Sequence, residues 1–174
     1  MINLAQPMLG SKVVFKTDDF FASARRIINA DPPIFREGVF DKHGKWMDGW
    51  ETKRKRGKGY DYLILKLGRP GRISKIDIDT SYFSGNQPTK VSLNACFSKK
   101  KLPDKNSKWT TILKKKPTKA NSHHFFNVKN KSIFTHIKLN IYPDGGVARI
   151  RIYGSMKILK NFTGKVLNLT SVLH

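Results

Sequence analysis

The sequence predicts an all-β protein, an antiparallel sandwich carrying one short helix. Three observations lead there. Apolar and polar residues alternate in several separate stretches, Gly, Pro and Asn turn residues divide those stretches, and a single segment has helical spacing. Strict alternation sends one set of side chains into a core and the other outward, as a half-buried strand requires. Several such strands separated by turns make an antiparallel sandwich.

In chain order, Lys12-Val13-Val14-Phe15-Lys16 is a short apolar strand. Phe20 to Ala30 is the helix candidate, with Asp18 or Asp19 placed to cap its start and Asp31-Pro32-Pro33 to end it. Tyr62-Leu63-Ile64-Leu65-Lys66-Leu67 is the next strand, closed by the turn signal Gly68-Arg69-Pro70-Gly71. Ile76, Ile78 and Thr80 then alternate with Lys75, Asp77 and Asp79. Val91, Leu93, Ala95 and Phe97 alternate with Ser92, Asn94 and Cys96. Ile137, Leu139 and Ile141 alternate with His136, Lys138 and Asn140, and Ile150 and Ile152 with Arg149, Arg151 and Tyr153. Between the last two strands, Pro143-Asp144-Gly145-Gly146 reads as a hairpin turn.

A chain of 174 residues suits one domain, and 39% hydrophobic residues suffice for a single core. The single cysteine, Cys96, excludes an internal disulfide and fits a reducing compartment. Its place in an alternating run reads as packing rather than as a functional thiol. No stretch approaches the ~18 consecutive apolar residues of a membrane span. The first residues lack the basic flank and long apolar run of a secretory signal. A cytoplasmic protein without a membrane partner is expected.

The net charge of +22 would suit nucleic acid, an anionic surface or an anionic substrate. Lysines cluster at Lys99-Lys100-Lys101, Lys114-Lys115-Lys116, Lys129 and Lys131, among Asn, Ser, Pro and Thr. These read as loops and strand ends, with no aromatic platform spaced for base stacking. The expectation is a solvated surface that attracts small anions, without a specific nucleic-acid partner.

Four segments depart from the strand pattern and concentrate functional groups. In Thr17-Asp18-Asp19-Phe20-Phe21-Ala22 the acid pair either caps the helix or turns one carboxylate into a pocket. Gly44-Lys45-Trp46-Met47-Asp48-Gly49-Trp50-Glu51-Thr52-Lys53-Arg54 packs two tryptophans, two carboxylates and several cations into eleven positions. It is either a tryptophan-plugged sandwich edge or the wall of a small-ligand pocket. Asp79-Thr80-Ser81-Tyr82-Phe83-Ser84-Gly85-Asn86 gathers polar groups where a strand ends. The fourth segment runs from Asn140 to Gly154, and Arg149 and Arg151 share one strand face there. A fixed guanidinium can grip a carboxylate through two hydrogen bonds.

These four segments, in this order, resemble the signature segments of the allantoicase family, and His123-His124-Phe125-Phe126 is similar to its histidine-and-aromatic segment. The resemblance covers about residues 11–154. It implies a jelly roll of the galactose-binding type and hydrolysis of allantoate to ureidoglycolate and urea in purine breakdown. The family carries two such repeats in tandem. Here residues 1–10 read as an extension, 11–154 as one repeat, and 155–174 as a linker with the first strand of a second. The last reading rests on a likeness between Ser11–Asp18 and Gly164–Ser171.

Allantoate is a carboxylate whose central carbon bears two ureido groups. Releasing urea needs an acid, a base, a cationic anchor and acceptors for ureido N–H groups. Chemistry and motif position together give Arg149 or Arg54 the carboxylate and Asp48 or Glu51 the acid/base role. Asp79, Tyr82, Asn86 and Asp144 would hold ureido groups or water, with Asp144 counted among the catalytic candidates. Trp50 would wall the pocket, and His124 joins the substrate-binding set. No histidine spacing suits a metal, so no cofactor is expected, although Asp18, Asp48 and Asp144 are hard oxygen donors that could assemble a divalent site. Association of copies is left open. The competing reading is a non-catalytic jelly-roll module for carbohydrate or another small ligand, which would need aromatics and few buried acids.

Overall fold

The structure, a computed structural model, describes residues 1–157. The Gly164–Ser171 segment, and with it most of the proposed linker, lies outside the described residues. Among those residues the strands are β1 (Ile2–Asn3), β2 (Lys12–Lys16), β3 (Phe40–Asp41), β4 (Gly44–Lys45), β5 (Trp50–Glu51) and β6 (Asp61–Asp79). They continue with β7 (Lys90–Cys96), β8 (Thr110–Pro117), β9 (His123–Asn127), β10 (Ile133–Tyr142), β11 (Gly146–Val147) and β12 (Arg149–Met156). The fold is an antiparallel jelly roll whose main sheet runs β1-β12-β6-β10-β7-β8, with β2 and β9 also paired to β6.

β6 organises the molecule. Its first half pairs with β2 and β10, its second half with β12 and β9, so one strand serves both layers. Gly68-Arg69-Pro70-Gly71, expected as a turn, is instead the corner inside this continuous strand. A Cβ at Gly68 would lie 1.9 Å from the Leu9 carbonyl oxygen, and one at Gly71 would lie 2.7 Å from a Leu4 methyl. Glycine lets the N-terminal segment close against the bend. Residues 1–10 are therefore part of the sandwich and not an extension: β1 pairs with β12, and Leu4 and Ala5 are fully buried.

The alternating residues build the core as expected. Leu63, Leu65, Ile76, Ile78, Leu93, Ile137, Leu139 and Ile152 are all fully buried in one cluster. Each contributes roughly 1.5–3 kcal/mol by leaving water. Phe97 is the exception: β7 ends at Cys96 and leaves the ring 53% exposed. Lys114–Lys116, read as a loop or strand end, lie inside edge strand β8. The predicted helix shrinks to a 3-10 turn at Ala24–Ile28. The Phe21 and Ala22 amides donate to the Glu51 carbonyl, so the chain is still extended where a helix was to begin. Among the described residues no helix is long and apolar enough to cross a membrane.

Candidate active site

Four segments far apart in sequence meet at Glu51. β5 pairs with β11, Gly146 opposite Glu51 and Val147 opposite Trp50. On its other side Glu51 exchanges backbone hydrogen bonds with Ala22, at 3.1 and 3.2 Å. The Gly146 amide donates to the Asn86 carbonyl at 2.7 Å, and the Ala148 amide to the Asp79 carbonyl at 2.8 Å. Closeness is enforced by glycine: a Cβ at Gly146 would stand 1.9 Å from the ring of Phe83, which is itself fully buried.

Beside this junction opens a hollow of about 400 Å³, lined by Phe35, Lys45, Met47, Tyr82, Ser84, Asn86 and Asn121. Tyr82 stacks on Phe35, ring centroids 5.8 Å apart, and the Lys45 ammonium sits 4.5 Å from the same Phe35 ring. Tyr82 holds φ at +68°, a conformation that residues other than glycine seldom adopt, and its amide donates to Asn121 Oδ1 at 2.9 Å. Asn86 reaches from the lining to Glu51, its Nδ2 donating to Oε1 at 2.8 Å. Burial pushes the Glu51 carboxyl above the usual carboxylate range, against the smaller opposing pull of the Asn86 amide. A cation, a phenol and amides thus share one small volume, and Glu51, outside its lining, is joined to it through Asn86.

The remaining expected residues are placed differently. Arg149 is fully buried, and its guanidinium donates to Asp48 Oδ2 at 2.7 Å and to the carbonyls of Asp31, Pro32, Asp48 and Ala148. With its donors spent inside the protein it cannot anchor a substrate carboxylate. Asp48 is its counter-ion and also accepts the Ile34 amide at 3.0 Å, so the pair ties down the strap at residues 30–35. Trp50 is no pocket wall: it is fully buried in the core, its indole N–H donating to the Asp18 carbonyl at 2.8 Å. His124 is engaged at both ring nitrogens, by the Ile78 carbonyl and the Lys119 amide. Asp144 accepts the Lys55 amide at 2.6 Å, and Arg54 lies exposed without a place in the hollow's lining.

Asp79 is completely buried, its Oδ1 accepting the Ser81 amide. Next to it, His123 Nδ1 lies 3.0 Å from Asp77 Oδ2, and burial pushes the Asp77 carboxyl upward. The Asp18 carboxylate accepts the Phe20 and Lys53 amides while Asp19 pairs with Lys16, and both acids line a second hollow of about 540 Å³. Asp18, Asp48 and Asp144 therefore serve three different sets of partners. Among the described residues no three His, Cys, Asp or Glu side chains are grouped to hold a metal ion. Lys45, Phe35 and Asn121 were missed as lining groups. Lys45 lies inside the Gly44–Arg54 segment without a role expected of it, and Phe35 and Asn121 carry no sequence signal.

The family profile described as an allantoicase repeat matches residues 2–157. The chain belongs to the allantoicase family. A probable allantoicase of Pseudomonas fluorescens (strain Pf0-1) is 51% identical over 153 residues, covering 88% of this chain and 46% of the relative. The crystal structure of allantoicase from Saccharomyces cerevisiae superposes with a TM-score of 0.77 at 36% identity, covering 88% of this chain and 48% of that one. The chain thus spans about half the length of the allantoicases it matches. The C-terminal domain of a chitobiase from Bacteroides fragilis, 15% identical with a TM-score of 0.60 over 85% of this chain and 95% of that domain, shares the fold alone.

Proposed function

We propose that the chain hydrolyses allantoate to ureidoglycolate and urea in the hollow beside Glu51. The observation that carries this is Glu51 itself. It is a partly buried acid with a raised pKa, held by Asn86 at the one point where all four family segments touch. In the reaction a water oxygen bonds to the central carbon, one C–N bond breaks, and a proton moves to the departing ureido nitrogen. A carboxyl whose burial raises its pKa holds a proton more firmly than an exposed acid does, which suits it to the role of proton donor. Lys45 supplies the charge for the substrate carboxylate, and Tyr82, Ser84 and Asn121 offer polar groups to the ureido arms.

The same reading has no cofactor, a cytoplasmic site of action and self-association of copies. The buried Cys96 thiol, pushed up to about 11 by its burial, is unreactive and at home in a reducing compartment. Two associated copies would bring together as much chain as the matched relatives carry. The test is urea release from allantoate by the purified chain, with and without a chelator. Steady release unaffected by the chelator is expected. Release no faster than the uncatalysed rate at every protein concentration overturns the proposal.

A further inference from the structure

The second concentration of chemistry lies on the outer face of the layer formed by β2, the first half of β6, β10, β7 and β8. Leu63, Leu65, Ile137, Leu139 and Ile141 point from these strands into the core. Of their alternate neighbours Ile64, His136 and Asn140 are also buried, while Tyr62, Lys66, Lys138 and Tyr142 are partly exposed, and there the fold assembles a row of rings that no single segment contains. Phe15 stacks on Tyr62 at 5.4 Å, Tyr62 lies 6.2 Å from Tyr60, and Tyr60 lies 4.8 Å from Tyr142. Phe15 and Tyr60 are 37% and 40% exposed, so the row is open to solvent at both members that lie outside the sheet centre.

Lysines are interleaved with the rings. Lys138 Nζ is 4.3 Å from the Tyr62 centroid and 6.0 Å from that of Trp109, and Lys115 Nζ is 4.2 Å from Tyr142. Lys12 faces Lys66 across the β2–β6 pair, and Lys90 faces Tyr142 across β7–β10, which places them on the same face. Strands β2, β7, β8 and β10 contain no Asp or Glu. The carboxylates nearest this face are already engaged: Asp61 with Lys55 at 3.1 Å, Asp19 with Lys16 at 3.2 Å, and Asp144 with the Lys55 amide. Lys12, Lys66, Lys90, Lys115 and Lys138 have no ion-pair partner among the described residues, and they lie beside flat π surfaces.

We infer that this sheet face binds single-stranded nucleic acid without sequence preference, its rings taking bases and its lysines taking phosphates. Centroid spacings of 4.8–6.2 Å put these rings in contact with one another, so no base enters between them. A base lies instead on the open sides of the exposed Phe15 and Tyr60 rings, where stacking is tolerant of sequence. The lysines now resting on Tyr62 and Tyr142 would exchange those rings for phosphates. An anionic bilayer would satisfy the charge and leave the rings without a partner, and a sulfated polysaccharide, whose sugar faces can also pack on rings, is the competitor that the experiment sets against nucleic acid.

Fluorescence anisotropy of a labelled oligothymidylate of about a dozen nucleotides, titrated with the full chain, tests this. Binding is expected to persist at about 0.15 M salt and to fall on raising it, with a log–log slope of about −3.5 for the five lysines, near 0.7 per phosphate. Phe15→Ala and Tyr60→Ala, each checked for folding by circular dichroism, should each weaken binding about tenfold. Two exposed positions are used so that an unfolded variant at one leaves the other to decide. Three results overturn the inference. They are no binding at that salt, binding indifferent to both ring substitutions, and displacement by heparin or anionic vesicles as effective as that by unlabelled oligonucleotide.

Discussion

Glu51 is fixed by its backbone on two sides, while its charge is met by one amide, that of Asn86. Its folded-state pKa lies above the ordinary 4.5, so the protonated form is the one the fold prefers. The stability this contributes is complete below pH 4.5 and is lost as pH rises through the folded value. Gln at this position keeps an oxygen for the Asn86 amide and carries no charge to desolvate. Glu51→Gln should therefore melt higher than the parent at pH 7, with the gap closing towards pH 4, as followed by thermal denaturation. A lower melting temperature at pH 7 would mean that the carboxylate is well solvated in the fold. Asp48 and Arg149 follow the opposite logic. Sequence marked both as charged groups near a ligand, but a side chain's burial is set by strands distant in sequence. Here the strap at residues 30–35 seals the pair inside, where an ion pair is kept only because each partner satisfies the other.

At the scale of elements, alternation made β7, β10, β12 and the second half of β6 legible, because each buries one face in the common core, and apolar runs marked β2 and the first half of β6. It missed β8 and β9. β8 is an edge strand whose one fully engaged apolar residue is Leu113, amid exposed lysines and threonines. The helix was overread because Phe21 and Ala22 bond to Glu51, a partner 29 and more positions away in sequence. The two-residue strands β5 and β11 were invisible as strands, since so short a pair carries no periodicity, yet they hold the site together. Their closeness depends on Gly146, where a methyl group would strike the buried Phe83 ring. Gly146→Ala should lower stability by about 1–3 kcal/mol and depress urea release further than the lost stability explains, because the β5–β11 contact must open. Unchanged melting and unchanged turnover would show that Phe83 can move aside without disturbing Glu51.

At the scale of the molecule, the sequence showed how much charge there is, and the fold shows where it goes. The acids Asp48, Glu51, Asp77 and Asp79 lie at or near the junction end, while the ringed face of the opposite layer carries lysines and no free carboxylate. The four family segments were recognisable because strands of a jelly roll return their ends to a common pole, so the order of motifs survives as a spatial cluster. Which members of that cluster face a ligand was not legible, since it depends on strap and lining residues such as Phe35 and Asn121 that belong to no motif. In the proposed reaction the proton of urea release passes through Glu51. The direct measurement is steady-state urea release by Glu51→Gln, which keeps the Asn86 hydrogen bond and the fold. This variant should show kcat reduced about 10²–10⁴-fold with KM nearly unchanged, and full turnover by it would remove Glu51 from the proton path.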